Sequence, residues 1–472
     1  MTPAVSRGRG LLAVMAVIVV CSGVVQGYLT PLLPAVGHHV GIGGVGQSNL
    51  YLLSQLAFAV LTPLLSRWGD IWGHRRLLRI AVAMVAAGSL LIASRPTTAT
   101  LALGMVLQGA VVGFFPLLAG ILRSRAPEHG RTGMSVLVGA LLLSIGAGGF
   151  VAGSLSEEHA LAGLWTAVPF GCLALMAALA LPSSTAPRAG RFNVPAATLL
   201  TLGLAALILL LTEGGSWGWD SASSVATAAV AAALLALWVR VEHRSDHPLV
   251  DLGLLRNPRL TIVSAHTFCA AFGAIGFLGA NAVFLGADPA GDGYGMGLGP
   301  RAISLVSLAM VVVGFGGATA SPRLARRIGD RATMVVTGGL GALGFLSLML
   351  FHGSLPQYLV GALLVGVATG MFEAVTRTLS VEVVEETETA LSVGINELAL
   401  SLGAAIGAAV ISALFAGHPR PDGGIGRAGY LWAWGACAAV ALGGALLGLL
   451  YREVRPSPAT DKPRITHSKE AA

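Results

Sequence analysis

Glu373 and Glu397 are carboxylic acids inside two stretches of otherwise apolar sequence. A carboxyl group removed from water favours its neutral form, so these side chains can bind and release a proton near neutral pH. Ionisable residues in apolar segments are costly and by default indicate a functional site, here one that handles protons. The alternative for Glu373 is a structural ion pair with Arg377 one helical turn later. Glu397 has no basic residue three or four positions away.

A second charged set lies in the short polar segment 66–76, between two long apolar runs. An acid such as Asp70 gains energy from a helix N-terminus or from a charge-assisted hydrogen bond to an arginine. Such a contact can exist in one arrangement of helices and break in another. We therefore predict a conformational latch formed by Asp70, Gly73, Arg75 and Arg76. The alternative is that these charges only anchor a loop at a membrane surface.

Uncharged polar residues and one histidine also fall inside apolar stretches. Facing a cavity, they can hydrogen-bond a small molecule; facing another helix, they contribute about 0.6 kcal/mol each to packing. The sequence does not separate these two roles. The candidates for lining a substrate cavity are Gln26, Tyr28, Gln55, Gln108, His266, Asn281 and Asn396.

The composition identifies the elements that must position these residues. Of 472 residues, 55% are hydrophobic and 11% are charged, whereas soluble domains carry about 25% charged residues. Apolar stretches of about 20 residues recur along the chain, which predicts an all-α integral membrane protein. The basic residues that give the net charge of +7 are spread over short loops between apolar segments, so membrane topology explains them better than nucleic-acid binding. The four cysteines lack metal-ligand spacing, so we expect no metal. No nucleotide-binding motif occurs, which disfavours transport driven by ATP hydrolysis, and no catalytic constellation stands in an aqueous domain, so we expect no cofactor and no enzyme activity.

Fourteen apolar segments predict fourteen transmembrane helices. An even number places both termini on one side of the membrane. Of the 29 lysines and arginines, four fall in loops assigned to the other side, so the remaining 25 mark the side of the termini as cytoplasmic. The segments are 11–35, 47–66, 77–94, 99–122, 133–155, 161–182, 195–212, 223–241, 259–286, 302–321, 332–352, 356–379, 389–416 and 429–451.

The segments divide into six, two and six. Residues 1–182 and 259–452 are predicted to form two six-helix bundles, and 183–258 to hold two additional helices with their cytoplasmic linkers. The basic loop 322–331 repeats the position of 66–76, as a transporter built from two related halves would show. The tail, 453–472, is polar and is predicted to be disordered. The acidic residues between the twelfth and thirteenth segments are predicted to be a solvated surface or, alternatively, to pair with basic loops: Glu382, Glu385, Glu386 and Glu388.

Together these features resemble the fourteen-span drug:proton antiporter family of the major facilitator superfamily. The family loop G-x-L-A-D-R-x-G-R-K corresponds to 66–75, where Asp70, Gly73 and Arg75 match and Ser66 replaces the leading glycine. The segments 213–219, 241–251 and 255–257 also resemble the family. The resemblance implies a monomer in the cell membrane that exports amphipathic organic compounds, such as drugs, by alternating access in exchange for protons.

Three departures from the family bear on the mechanism. The first span has no acid between 21 and 31, and Met105 stands where the family has an arginine. In the fifth span Phe150 replaces a proline, while the glycines for close helix packing remain: Gly146, Gly149 and Gly153. The missing residues favour, as an alternative, a uniporter or an importer of a small neutral metabolite. A membrane scaffold or sensor without transport is a further alternative, which the retained latch residues oppose.

Overall fold

The structure is a computed structural model and describes residues 3–453 except 43, 156–158, 183–191, 247, 250–252, 386–387, 419 and 421–424. The predicted disordered tail lies outside the described residues from 454 onward. The α-helices are α1 Pro3–Val40, α2 Gly44–Trp72, α3 His74–Ser94, α4 Thr98–Gln108, α5 Phe114–Arg125, α6 Gly130–Gly153, α7 Ala160–Gly163, α8 Ala167–Ala180, α9 Val194–Trp217, α10 Ala222–His243, α11 Pro258–Ala274, α12 Leu278–Gly286, α13 Pro289–Asp292, α14 Pro300–Ile328, α15 Asp330–Leu350, α16 Leu355–Glu382, α17 Thr389–Ala416 and α18 Arg427–Gly448.

The helices follow from the apolar sequence. A segment in lipid must satisfy its backbone hydrogen bonds internally, and a helix does so. Within the described ranges, eleven helices are long and apolar enough to cross a membrane, and Val194–Leu210 is a shorter apolar helix. The prediction of an all-helical membrane protein is confirmed, and the count of fourteen spans stays a prediction.

Two glycine turns mark one end of the helix assembly, which we call the turn face. Gly73 connects α2 to α3 with a φ of 93°, and Gly329 connects α14 to α15 with a φ of 86°. These positive φ values suit glycine, because a Cβ makes this region strained for other residues. The next helix starts at the following residue in both cases, so His74 and Asp330 occupy matching positions.

The helices pack in two groups with a pair beside them. The N-terminal group, α1–α8, surrounds a large apolar core to which α14, α16 and α17 add a few residues, and the C-terminal group, α11–α18, surrounds a second core. The pair α9 and α10 pack on each other, and α9 also lies against α2 and α17. Helix α9 therefore contacts both helix groups, because α2 belongs to the N-terminal group and α17 to the C-terminal group.

The glycines of α6 lie where neighbouring helices approach closely. A Cβ added to Gly146 would lie 2.8 Å from the Val311 side chain of α14, closer than side chains tolerate. Helix α6, which belongs to the N-terminal group, therefore also packs closely against α14 of the C-terminal group. A Cβ added to Gly149 would contact the Gly27 carbonyl of α1, and a Cβ added to Gly153 would contact the Ser304 hydroxyl of α14. These are the other two predicted packing glycines.

Candidate functional site

Three charged side chains meet in one buried cluster. Arg377 on α16 donates from Nη1 to Glu373 Oε2 at 2.6 Å. It also donates from Nε and Nη2 to the two carboxylate oxygens of Glu397 on α17, at 2.5 and 3.0 Å. The three side chains are 5–9% exposed. Glu373 thus pairs with Arg377 on its own helix, which is the alternative stated from the sequence. Glu397, on the neighbouring helix α17, pairs with the same arginine. We call Glu373, Arg377 and Glu397 the ion cluster.

The ion cluster holds two acids and one base. Buried ions require partners, and a guanidinium with five N–H donors can serve two carboxylates at once. When both acids are ionised the cluster carries one net negative charge, and binding one proton makes it neutral. Chemically, the cluster can therefore exchange a proton or balance one positive charge on a ligand.

An aromatic ring from the N-terminal group completes the cluster. The Cζ atom of Arg377 lies 4.6 Å from the centre of the Phe115 ring on α5. Phe115 is 5% exposed. A guanidinium over an aromatic face is attracted by the electrons of the ring. The ion cluster consequently has contacts in both helix groups, although its three charges all belong to the C-terminal group.

The predicted latch residues make contacts inside the N-terminal group. Asp70 is buried, and its Oδ1 atom lies 3.0 Å from Nε2 of His74, the first residue of α3. Arg75 donates from Nη2 to the Leu179 carbonyl at the end of α8, at 3.5 Å. Arg76 is exposed. These contacts attach α3 to α2 and α8 at the turn face.

Ion pairs between the two groups come from another residue, Arg131 at the start of α6. Arg131 donates to both carboxylate oxygens of Asp330, at 2.8 and 2.9 Å. It also donates to both carboxylate oxygens of Glu382, at 2.7 and 2.5 Å. Planar two-point pairing of this kind is strong and directional. At the turn face, Arg131 therefore joins the start of α6 to α15 and α16.

The last turn of α16 and the residues directly after it accept hydrogen bonds from further donors. Arg123, in the last turn of α5, donates to the backbone carbonyls of Val381 and Val384. Asn257, before α11, donates to the Val383 carbonyl at 2.9 Å. The final carbonyls of a helix have no partner in the helix itself, and they attract positive charge. Arg123 supplies both a donor and a charge from the opposite group.

Polar cavity candidates in the N-terminal group mostly bond to neighbouring protein groups. Gln108 donates from Nε2 to the Tyr28 hydroxyl at 3.1 Å and to the Ser89 hydroxyl at 2.9 Å. These three residues are buried and tie α4 to α1 and α3. Gln26 bonds to a carbonyl of its own helix at 3.4 Å. The side chain of Gln55 lies outside the described residues.

The candidates in the C-terminal group are also bonded within it. Asn281 accepts a hydrogen bond from the Tyr358 hydroxyl. Asn396 accepts one from Thr267 at 2.7 Å. His266 is fully buried, with Nδ1 2.9 Å from a carbonyl of α18. These contacts join helices of one group to each other.

Sequence reasoning missed the residues that connect the groups. Arg123 and Arg131 are not singled out by the sequence, because basic residues near span ends are expected from membrane topology alone. The sequence does point to Asp330, because it follows Gly329 in the second basic loop just as His74 follows Gly73 in the first. For Glu382 the sequence left two alternatives open, and the structure shows pairing with a basic residue.

The sequence model of the Major Facilitator Superfamily matches residues 15–358 and, in a second overlapping match, 263–470. The chain belongs to the major facilitator superfamily. The multidrug efflux pump LfrA of Mycolicibacterium smegmatis is 26% identical over 88% of this chain and 82% of its own length. The probable actinorhodin transporter of Streptomyces coelicolor is 28% identical over 77% of this chain and 64% of its own.

Solved structures agree with this membership at the level of the fold. The human organic anion transporter MFSD10 aligns with a TM-score of 0.65 at 19% identity, covering 96% of this chain and all of that one. Identity this low shows the shared fold alone. Together with the eleven candidate spans, the family makes this superfamily member a multi-span membrane transporter.

Proposed function

We propose that this transporter exports amphipathic organic compounds, such as drugs or natural products, in exchange for protons. The observation that carries the proposal is the ion cluster: two acids share one arginine, out of water, beside a ring of the opposite helix group. Relatives named as a multidrug efflux pump and as a tetracenomycin C resistance and export protein support the substrate class. They favour export over the uniporter, importer and scaffold alternatives.

The ion cluster supplies the exchange in two states. With one proton bound the cluster is neutral, and with none it carries one negative charge. The charged state attracts an organic cation and the neutral state does not, so proton and substrate compete. Competition of this kind is enough to couple two flows, because each ligand favours the conformation that binds it better.

Alternating access would operate through α16. Arg377 lies five residues before Glu382, so about 7.5 Å of helix separates the ion cluster from the pair with Arg131. A shift of α16 at the cluster therefore reaches the contacts of its last turn directly. In the present arrangement these contacts hold the two groups together at the turn face. We propose that they separate when the transporter opens to that side, with Asp70, Gly73, Arg75 and Arg76 steadying the turn.

The finer topology belongs to the same proposal. Helices α4–α5, α7–α8 and α11–α12 would each form one interrupted span, giving fourteen spans divided as six, two and six. The turn face, which collects Arg75, Arg123 and Arg131, would be cytoplasmic, with both termini on that side. The chain would act as a monomer in the cell membrane.

The decisive experiment measures ethidium uptake into inside-out vesicles with an acidic lumen. Gradient-dependent uptake that a protonophore abolishes is the expected result. Glu373→Gln and Glu397→Gln should each remove the gradient-dependent part, because either change leaves only one proton-binding acid beside Arg377. The matched control is Glu385→Gln, which removes an exposed carboxylate from the nearby loop.

The outcomes separate the possible errors. Uptake that equilibrates without a gradient would replace the exporter with a facilitated carrier. Gradient-driven uptake that both glutamine variants retain at the parent rate would reject the ion cluster as the proton site while leaving export in place. Equal losses in Glu385→Gln would mean that the assay reports expression or folding.

A further inference from the structure

Phe115 is the N-terminal group's contact with the buried guanidinium of Arg377. The two edges of that guanidinium are occupied by carboxylates, Nη1 by Glu373 and Nε with Nη2 by Glu397. Its flat face is left for the ring, 4.6 Å from the Cζ atom. Arginine suits such a site because its planar group binds ions at the edge and aromatic rings at the face.

The ring and the guanidinium stand on opposite sides of the moving boundary. Phe115 lies on α5, whose last turn carries Arg123. Arg377 lies on α16, and Arg123 donates to the Val381 carbonyl in the last turn of α16 and to the Val384 carbonyl just after it. The ring contact and the hydrogen bond to Val381 therefore join the same two helices, about two turns apart along α5 and about one turn apart along α16. If the groups separate at the turn face, both contacts break together, and water replaces the ring.

We propose that Phe115 is a positioning residue: its ring fixes Arg377 between the two acids and adds a cation–π attraction that exists only while the turn face is closed. The ring thereby links the geometry of the proton site to the conformation of the transporter. This inference rests on the proposed function in one respect, namely that the two groups separate at the turn face during transport.

The test replaces Phe115 with 4-fluoro-, 3,5-difluoro- and 3,4,5-trifluorophenylalanine, which weaken the attraction stepwise at nearly constant shape. Opening is measured as maleimide labelling of Ser135→Cys, with the native cysteines Cys21, Cys172, Cys269 and Cys437 replaced by serine. Ser135 is 2% exposed and lies at the boundary near Arg131 and Thr378. The labelling rate should rise with each fluorine, reaching about tenfold or more for the trifluoro ring, as expected for a desolvated cation–π pair.

Matched variants separate the electronic effect from packing. Phe115→Leu should raise labelling at least as much as the trifluoro ring. Phe114→Leu alters the neighbouring ring, 2% exposed, and should change labelling less than threefold. A flat fluorine series, or equal effects of the two leucine variants, would overturn the inference.

This labelling assay needs no proton gradient. A graded series in a protein without gradient-driven uptake would therefore contradict the proposed function and leave the role of Phe115 intact. A flat fluorine series in a protein that shows gradient-driven uptake would overturn the role of Phe115 and leave the proposed function in place.

Discussion

Arg131→Gln should open the turn face, because this arginine joins the two helix groups there. Its side chain is 34% exposed, and its partners Asp330 and Glu382 are 19% and 37% exposed. The two-point pair with the better buried Asp330 should contribute about 1.5 kcal/mol, at the low end for charged hydrogen bonds. The more exposed pair with Glu382 should add about 0.5 kcal/mol. The sum of about 2 kcal/mol corresponds to a roughly thirtyfold shift toward the open state.

The assay is the labelling rate of Ser135→Cys, measured in a double-mutant cycle. Arg131→Gln and Asp330→Asn, alone and combined, should give a coupling energy of about 1.5 kcal/mol, because both removals break the same pair. Raising the salt concentration should reduce the effect only partly, since the pair is half-buried. The control Arg240→Gln removes an exposed arginine at the end of α10, away from the boundary, and should leave labelling unchanged.

A coupling energy below about 0.3 kcal/mol would refute the reasoning, because it would mean that Arg131 and Asp330 act independently. Labelling that rises equally in Arg240→Gln would show that general loss of positive charge, rather than this pair, controls opening.

Two other predictions concern the glycine turn and a buried histidine. Gly73→Ala should lower the melting temperature of the purified protein, because alanine at a φ of 93° is strained by about 1–3 kcal/mol. The control is Gly339→Ala, which adds a Cβ in open space within α15. Equal melting temperatures for the two variants would contradict the prediction. At His352, between α15 and α16, burial and then the charge of Arg427 lower the pKa. The unfolded chain therefore binds this proton more tightly, so stability should fall as the pH drops below about 6.5. Melting between pH 7.5 and 5.5 should show this loss, and His352→Gln should reduce it; an unchanged slope would count against it.

The spans could be predicted from sequence because lipid leaves a helix few alternatives. The apolar run 356–379 lies within α16, and 389–416 coincides with α17, since both are set by local composition. The turn at Gly73 was equally local, because a glycine between two spans reflects the conformation of its own backbone. Such features depend on neighbours in sequence, and these are visible in one chain.

The site could be predicted only in part, because its partners are distant in sequence. Glu373 and Arg377 are one turn apart, and their pairing was a stated alternative. The pairing of Glu397 with Arg377 depends on how α17 packs against α16, which no spacing rule supplies. Arg131 and Asp330 are 199 residues apart, and a basic residue at a span end looks the same whether it binds lipid or protein.

The packing of α11 against α17 and α18 also affects how the chain is synthesised. Roughly 115 residues separate the end of α11 at Ala274 from the start of α17 at Thr389. At 5–20 residues per second, a ribosome needs about 6–23 seconds to make them. During that time His266 and Thr267 have been synthesised, whereas their bonding partners on α18 and α17 have not. We therefore expect the insertion machinery to shield α11 until translation is nearly complete.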